Sequence, residues 1–294
     1  MEKAVYHLPG LFEFYDFYRK FLPIYREKTE YFYDWCQIGS LYGASADCLW
    51  AGGRVSTGNA DPRQALALTE EYGLSARLTF SNSLLRPEHL KDPKCNRLCA
   101  LFGAEPGNGV IVHSELLLAY LKEKYPNFYF VSSTTKVLTD FEDLAAETER
   151  PDFRYVVPDF RLNKVFDRLA GLKEKRKVEF LCNECCWPGC RERKACYENV
   201  SRKNLGERCP DHICAAPEGE KGYRFSAAMK NPAFIGIRDI RETYLPMGFS
   251  QFKIEGRGLG SAMLLEFILY YLTKPEYQLP LREEMYLDSM LDLF

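Results

Sequence analysis

Eight short runs that read as strands, each followed by a helical pattern, constrain this chain more than any other feature of it. The strand candidates are Tyr33–Ile38, Ala76–Phe80, Gly109–Val112, Phe128–Val131, Phe153–Val157, Lys177–Leu181, Ala233–Ile237 and Gln251–Ile254. Helical periodicity fills Pro62–Tyr72, Pro87–Phe102, Glu115–Tyr125, Phe141–Glu149, Leu162–Lys173, Arg191–Asn199, Asp239–Pro246 and Ser261–Thr273. A strand that returns through a helix to a neighbouring strand must run parallel to it. Eight such units close into a (β/α)8 barrel of the TIM type. An open doubly wound sheet is the competing architecture, but no GxGxxG follows an early strand. At 294 residues and 46% hydrophobic, the chain can build a large core without disulfides.

The remaining segments attach to this frame. Residues 1–30 are expected to form an N-terminal helical segment, with Phe12, Tyr15, Tyr18 and Leu22 at helical spacing and Pro23 ending or kinking the helix. The barrel is expected over 31–275, and residues 276–294 form a C-terminal tail. Between the sixth and seventh strand candidates, roughly 50 residues intervene, far more than a usual βα connection. A cysteine-rich loop over 182–223 occupies that insertion after the sixth strand.

Barrel sites form at the C-terminal ends of the strands. There the sequence places Arg54, Asn82, His113, Ser133, Lys136, Asp159, Glu184, Glu255 and Arg257. Several could equally cap helices or form rim ion pairs. Together they point to a polar mouth, in which Glu184, Glu255, His113 and Lys136 are candidates for proton transfer. Arg54, Asn82, Ser133, Asp159 and Arg257 are candidates for binding substrate.

Seven of the eleven cysteines fall within Phe180–Cys214: Cys182, Cys185, Cys186, Cys190, Cys196, Cys209 and Cys214. The N-terminus lacks a continuous apolar signal segment, and Ala262–Leu272 is too short to span a bilayer and carries Glu266. The reading is therefore cytoplasmic, where dense cysteines indicate metal or redox chemistry instead of structural disulfides. Paired CxxC knuckles would indicate structural zinc; the irregular spacing here suits an iron–sulfur site better. Cys36, Cys48, Cys95 and Cys99 are scattered and read as core. A formal net charge of -2 gives no field for nucleic acid or an anionic membrane. No CxxxCxxC motif supports radical S-adenosylmethionine chemistry.

Three segments resemble the collagenase-like peptidase superfamily, a TIM-barrel group that includes proteins of oxygen-independent ubiquinone and RNA-base hydroxylation. Ser132-Ser133-Thr134-Thr135 resembles its Ser-Thr-Gln stretch. Phe180 with the cysteines behind it resembles Phe-Val-His-Gly-x-x-Cys, and Phe252-Lys253-Ile254-Glu255-Gly256-Arg257 resembles its Lys-Ile-Glu-Gly-Arg strand. The resemblance spans roughly residues 30–273 in its order of motifs. The family's His-Gly is Cys182-Asn183 here, so no catalytic histidine carries over. In members with a cluster, four cysteines bind [4Fe–4S]; by position these match Cys186, Cys190, Cys209 and Cys214, with Cys182 and Cys196 as alternates.

Three functions stay open at this point. One is an iron–sulfur enzyme that modifies a small or macromolecular substrate, with an electron donor or partner protein. Another is a zinc-dependent peptidase or hydrolase with Glu184 or Glu255 as general base. The last is a non-catalytic protein whose cysteines form a zinc-stapled docking surface.

Overall fold

The first strand comes earlier than the sequence pattern suggests. In the computed structural model, which describes residues 2–53, 58–217 and 222–291 with side chains through 286, β1 is Ala4–Pro9. It sits in the middle of the sheet, paired in parallel with β2 (Cys36–Gly43) on one side and β8 (Gln251–Lys253) on the other. The others are β3 (Ser75–Phe80), β4 (Gly109–Val112), β5 (Tyr129–Ser132), β6 (Phe153–Val156) and β7 (Glu179–Leu181). The order β6-β5-β4-β3-β2-β1-β8-β7 is parallel throughout, and a bridge between Val156 and Val178 joins the two edges. This is a nearly closed (β/α)8 barrel.

The expected count of eight holds, with one exchange of membership. Residues 1–30 are not purely helical, because β1 precedes α1 (Tyr15–Glu27). Residues 233–237 are not a strand. Pro232 precedes them and Gly236 lies within them, and Ile235 donates a backbone bond to the Cys182 carbonyl (3.0 Å) before a short helix begins. The cysteine-rich segment thus follows β7, the seventh strand, not the sixth. Helix α1 also runs through Pro23 instead of stopping there. One lost backbone hydrogen bond costs less than the packing of Phe17, Tyr18, Phe21 and Leu22, each worth about 1.5–3 kcal/mol when buried.

The outer layer continues with α2 (Pro62–Glu71), α3 (Pro93–Phe102), α4 (Glu115–Lys124), α5 (Phe141–Glu149), α6 (Phe166–Leu169), α7 (Arg193–Asn204), α8 (Phe225–Ala228), α9 (Ile237–Asp239), α10 (Ser261–Tyr271) and α11 (Gln278–Leu291). The Pro87–Phe102 helix splits at Asp92, whose carboxylate caps α3 through the Cys95 N–H (2.7 Å). None of the helices among the described residues is long and apolar enough to cross a membrane.

Strand alternation fills the barrel in layers. Tyr42, Ile111, Val131, Val157 and Leu181 form an apolar ring. Beside it lies a buried charged cluster. Glu179 receives Arg77 Nη1 at 2.5 Å and Lys253 Nζ at 3.3 Å, and His7 Nε2 stands 3.5 Å away. Burial alone would raise the Glu179 carboxyl, but Arg77, His7 and Lys253 together hold it below the ordinary carboxylate range. Burial, reinforced by Arg77, pushes His7 down to about 3. Burial likewise pushes Lys253 down to about 8 against the pull of Glu179.

Candidate functional site

The C-terminal ends of the strands surround a cavity of about 280 Å³. Tyr42, Ile111, Val157 and Leu181 of the apolar ring form its floor, with Lys253 Nζ 3.6 Å from the Tyr42 ring centroid. On β8 and its extension, Lys253, Glu255 and Arg257 alternate with Ile254 and Gly256, and all three line the cavity. Arg257 is buried, donates to the Gly52 carbonyl (3.2 Å) and lies 3.7 Å from Glu13. Gly52 admits no side chain: a Cβ there would fall 2.4 Å from the Ser81 carbonyl oxygen. Backbone, not side chain, therefore forms this wall.

The β5 end contributes a line of hydroxyls. Thr135 Oγ1 donates to Ser133 Oγ (2.9 Å), and Ser133 Oγ donates to Ser81 Oγ (3.2 Å). His113 is half-buried outside the cavity lining and reaches it through Thr135 (Nδ1 to Oγ1, 2.9 Å). Burial, with Lys136 and Lys194 nearby, lowers His113 to about 4, so it is neutral at physiological pH.

The cysteine-rich segment forms the roof. Helix α7 lies across the mouth with Arg193, Tyr197 and Ser201 buried beneath it. At its start, Arg193 Nη2 pairs with Glu184 Oε2 (2.6 Å) and Nε lies 3.4 Å from Asp159 Oδ2. The guanidinium also packs over the Phe160 and Tyr197 rings. At its far end neutral hydrogen bonds fasten it to the barrel loops: Asn82 Nδ2 donates to the Ser201 carbonyl (3.1 Å), and Asn204 Nδ2 donates to the Ala51 carbonyl (2.7 Å). Tyr197 lines the cavity from above.

Of the residues singled out in the sequence, Glu184, Glu255, Ser133 and Arg257 meet at this cavity. Asp159 and Asn82 support it without lining it. Asp159 caps the turn at Phe160 and holds Arg161 (2.6 and 3.0 Å). Asn82 ties the Leu49 and Ser201 carbonyls together. Lys136 points away, into an outer network with Glu115 (2.9 Å) and Glu147 (2.6 Å). Arg54 lies outside the described residues.

The cysteines divide sharply. Cys36, Cys48, Cys95 and Cys99 are buried, as expected of core residues. Cys182 is also buried in the core, and desolvation pushes its thiol well above the ordinary range. Cys186, Cys190, Cys196 and Cys209 are half-buried, while Cys185 and Cys214 are exposed. A tetrahedral zinc staple needs sulfurs about 3.8 Å apart, given Zn–S bonds of about 2.3 Å. Among the described residues, one group of three or more His, Cys, Asp or Glu has its ligand atoms within 4.8 Å of one another: Glu184, Cys185 and Glu255. The expected quartet of Cys186, Cys190, Cys209 and Cys214 does not gather at that spacing, nor do its alternates. One thiol and two carboxylates suit a borderline divalent cation such as zinc.

Sequence reasoning passed over Arg193, Tyr197, Lys253 and Cys185. Two signals were present. Arg193, Tyr197 and Ser201 recur every four residues, which is one face of a helix. Lys253 shares strand parity with Glu255 and Arg257.

A solved structure described as "The Structure of the U32 Peptidase Mk0906" superposes with a TM-score of 0.54, covering 87% of this chain and 94% of that one at 13% identity. The fold is similar to that of a U32 peptidase. At that identity the likeness speaks to the barrel and not to the reaction. The chain matches no family model and no curated protein sequence.

Proposed function

We propose that the lidded mouth is the active site of a metal-dependent hydrolase acting on an amide-type substrate. The convergence of Glu184, Cys185 and Glu255 on the cavity wall carries this reading. The peptidase name of the similar fold agrees with it. A divalent cation held by these three residues would supply Lewis-acid polarisation of a carbonyl. The chain's own groups do the rest. The apolar ring and Tyr197 keep bulk solvent off the site, so that the single water consumed by hydrolysis is the one beside the polarised carbonyl. Ser81, Ser133 and Thr135 offer hydroxyls to the polar groups of the substrate. Neutral His113, at 2.9 Å from Thr135 Oγ1, holds that hydroxyl in its line toward Ser133. The test is cation titration of the full chain with and without Glu255→Gln, together with an amide-cleavage screen. Cation binding and cleavage that both disappear in the variant support the reading; cleavage that survives metal removal overturns it.

One observation favours a second reading, the iron–sulfur enzyme of oxygen-independent hydroxylation. Cys185, Cys186, Cys190, Cys196, Cys209 and Cys214 are half-buried or exposed and all lie in the segment that roofs the cavity. A four-iron cube holds its thiolates farther apart than a single ion does, so the single-ion spacing does not bear on it. Such an enzyme would need an electron donor as partner. Anaerobic purification with iron and sulfide analysis and EPR separates the two readings. Stoichiometric iron and sulfide favour the cluster, and a colourless protein that takes up one divalent cation favours the hydrolase.

A further inference from the structure

We propose that cation binding at Glu184, Cys185 and Glu255 and closure of the α7 lid are antagonistic, because both draw on the Glu184 carboxylate. The inference rests on the metal reading above and adds a regulation to it. Glu184 is 3% exposed and rigidly held: its Oε1 accepts the N–H groups of Cys185 (2.8 Å) and Cys186 (2.9 Å), and its Oε2 takes Arg193. Arg193 is itself 2% exposed and cannot shed its charge. A divalent cation on Glu184 would stand beside a buried guanidinium, where the repulsion of like charges is poorly screened.

Arg193 has only limited room to retreat. Asp159, a second carboxylate beside it, is already engaged by Arg161 through two hydrogen bonds. Loading the site therefore weakens the ionic anchor at the start of α7. The opposite end, fastened at Ser201 and Asn204 by neutral hydrogen bonds, feels no such repulsion. The lid then loosens from its first turn and pivots about its last. Linkage makes the effect reciprocal: whatever factor the cation takes from lid closure, lid closure takes from cation affinity.

The experiment uses cobalt(II) with the full chain, since thiolate ligation gives a charge-transfer band; only the binding lost in Glu255→Gln is counted. Hydrogen exchange resolved along α7 is followed with and without cobalt(II). The expected result is faster exchange around residues 193–197, unchanged exchange around 201–204, and at least five-fold tighter cobalt(II) binding in Arg193→Gln. Cobalt(II) that binds wild type and Arg193→Gln equally, with α7 exchange unmoved, overturns the antagonism but leaves the metal reading standing. An absence of Glu255-dependent cobalt(II) binding overturns both. Should Arg193→Gln fail to fold, the exchange pattern of the wild-type chain decides alone.

Discussion

Two buried carboxylates, Glu179 inside the barrel and Glu184 at its mouth, are each paired with an arginine at about hydrogen-bond distance, yet their surroundings differ. Glu179 is enclosed by Arg77, Lys253 and His7, with no open side. Glu184 has Arg193 on one side and, on the other, a cavity shared with Cys185 and Glu255. A buried ion pair alone says little about function. What distinguishes the mouth is that one side of the pair faces a space that can be filled. The comparison separates a charge that holds the barrel together from a charge positioned for chemistry.

The largest effect is expected on the inner side. Arg77→Leu strands Glu179 and should cost about 3–5 kcal/mol in denaturant unfolding, because one buried charge loses its closest partner. A loss below about 1 kcal/mol would erase the distinction. Acid tests the same cluster. His7 has a folded value near 3 against an unfolded value near 6.5, so the unfolded chain binds more protons between those limits. His7 therefore makes stability rise with pH from about 3 to 6.5 and fall on acidification, by on the order of 5 kcal/mol across the window. His7→Gln should flatten that part of a pH-dependent melting series.

At the mouth, Glu184→Gln should cost less, about 1–3 kcal/mol, since Arg193 keeps Asp159 nearby. It should also abolish Glu255-dependent cation binding. If it destabilises as much as Arg77→Leu while leaving cation binding intact, the two carboxylates have been assigned the wrong roles. The smallest effect belongs to Lys136→Ala, in the outer network with Glu115 and Glu147: about 1 kcal/mol or less, with cation affinity unchanged. A change in cation affinity there would move Lys136 back toward the site that its sequence position suggested.

The barrel was legible because βα alternation is a local signal repeated along the chain. The misread strands show where that signal fails. β1 carries His7, a polar residue that fits there because the barrel interior holds a charged cluster, and ends in Pro9, a breaker tolerated at the last position of the strand. Ala233–Ile237 has the apolar character of a strand, but with Pro232 before it and Gly236 within it, it makes a single bond to the Cys182 carbonyl. The first outcome depends on residues distant in sequence, the second on two local breakers. At the site, Glu184, Glu255, Ser133 and Arg257 could be found because position at a strand end predicts the mouth. Cys185 was counted in the cluster but not favoured as a ligand, since spacing along the chain says little about which thiol turns toward Glu255. Lys136 was misplaced because a residue four positions past a strand end, at the close of a short turn, can point inward or outward, and here Glu147 draws it outward.

The wall of the barrel is not uniformly fastened. Neighbouring strands elsewhere share ladders of three to six residue pairs, whereas β6 and β7 meet through the Val156–Val178 bridge. Mechanically the cylinder is a split ring, stiff around most of its circumference and compliant along one line. That line runs up to Asp159 on one edge and Glu184 on the other, the two carboxylates that Arg193 spans. The arginine is therefore a clasp across the gap of the ring, and a change in its grip alters the bore of the barrel as well as the cover over it.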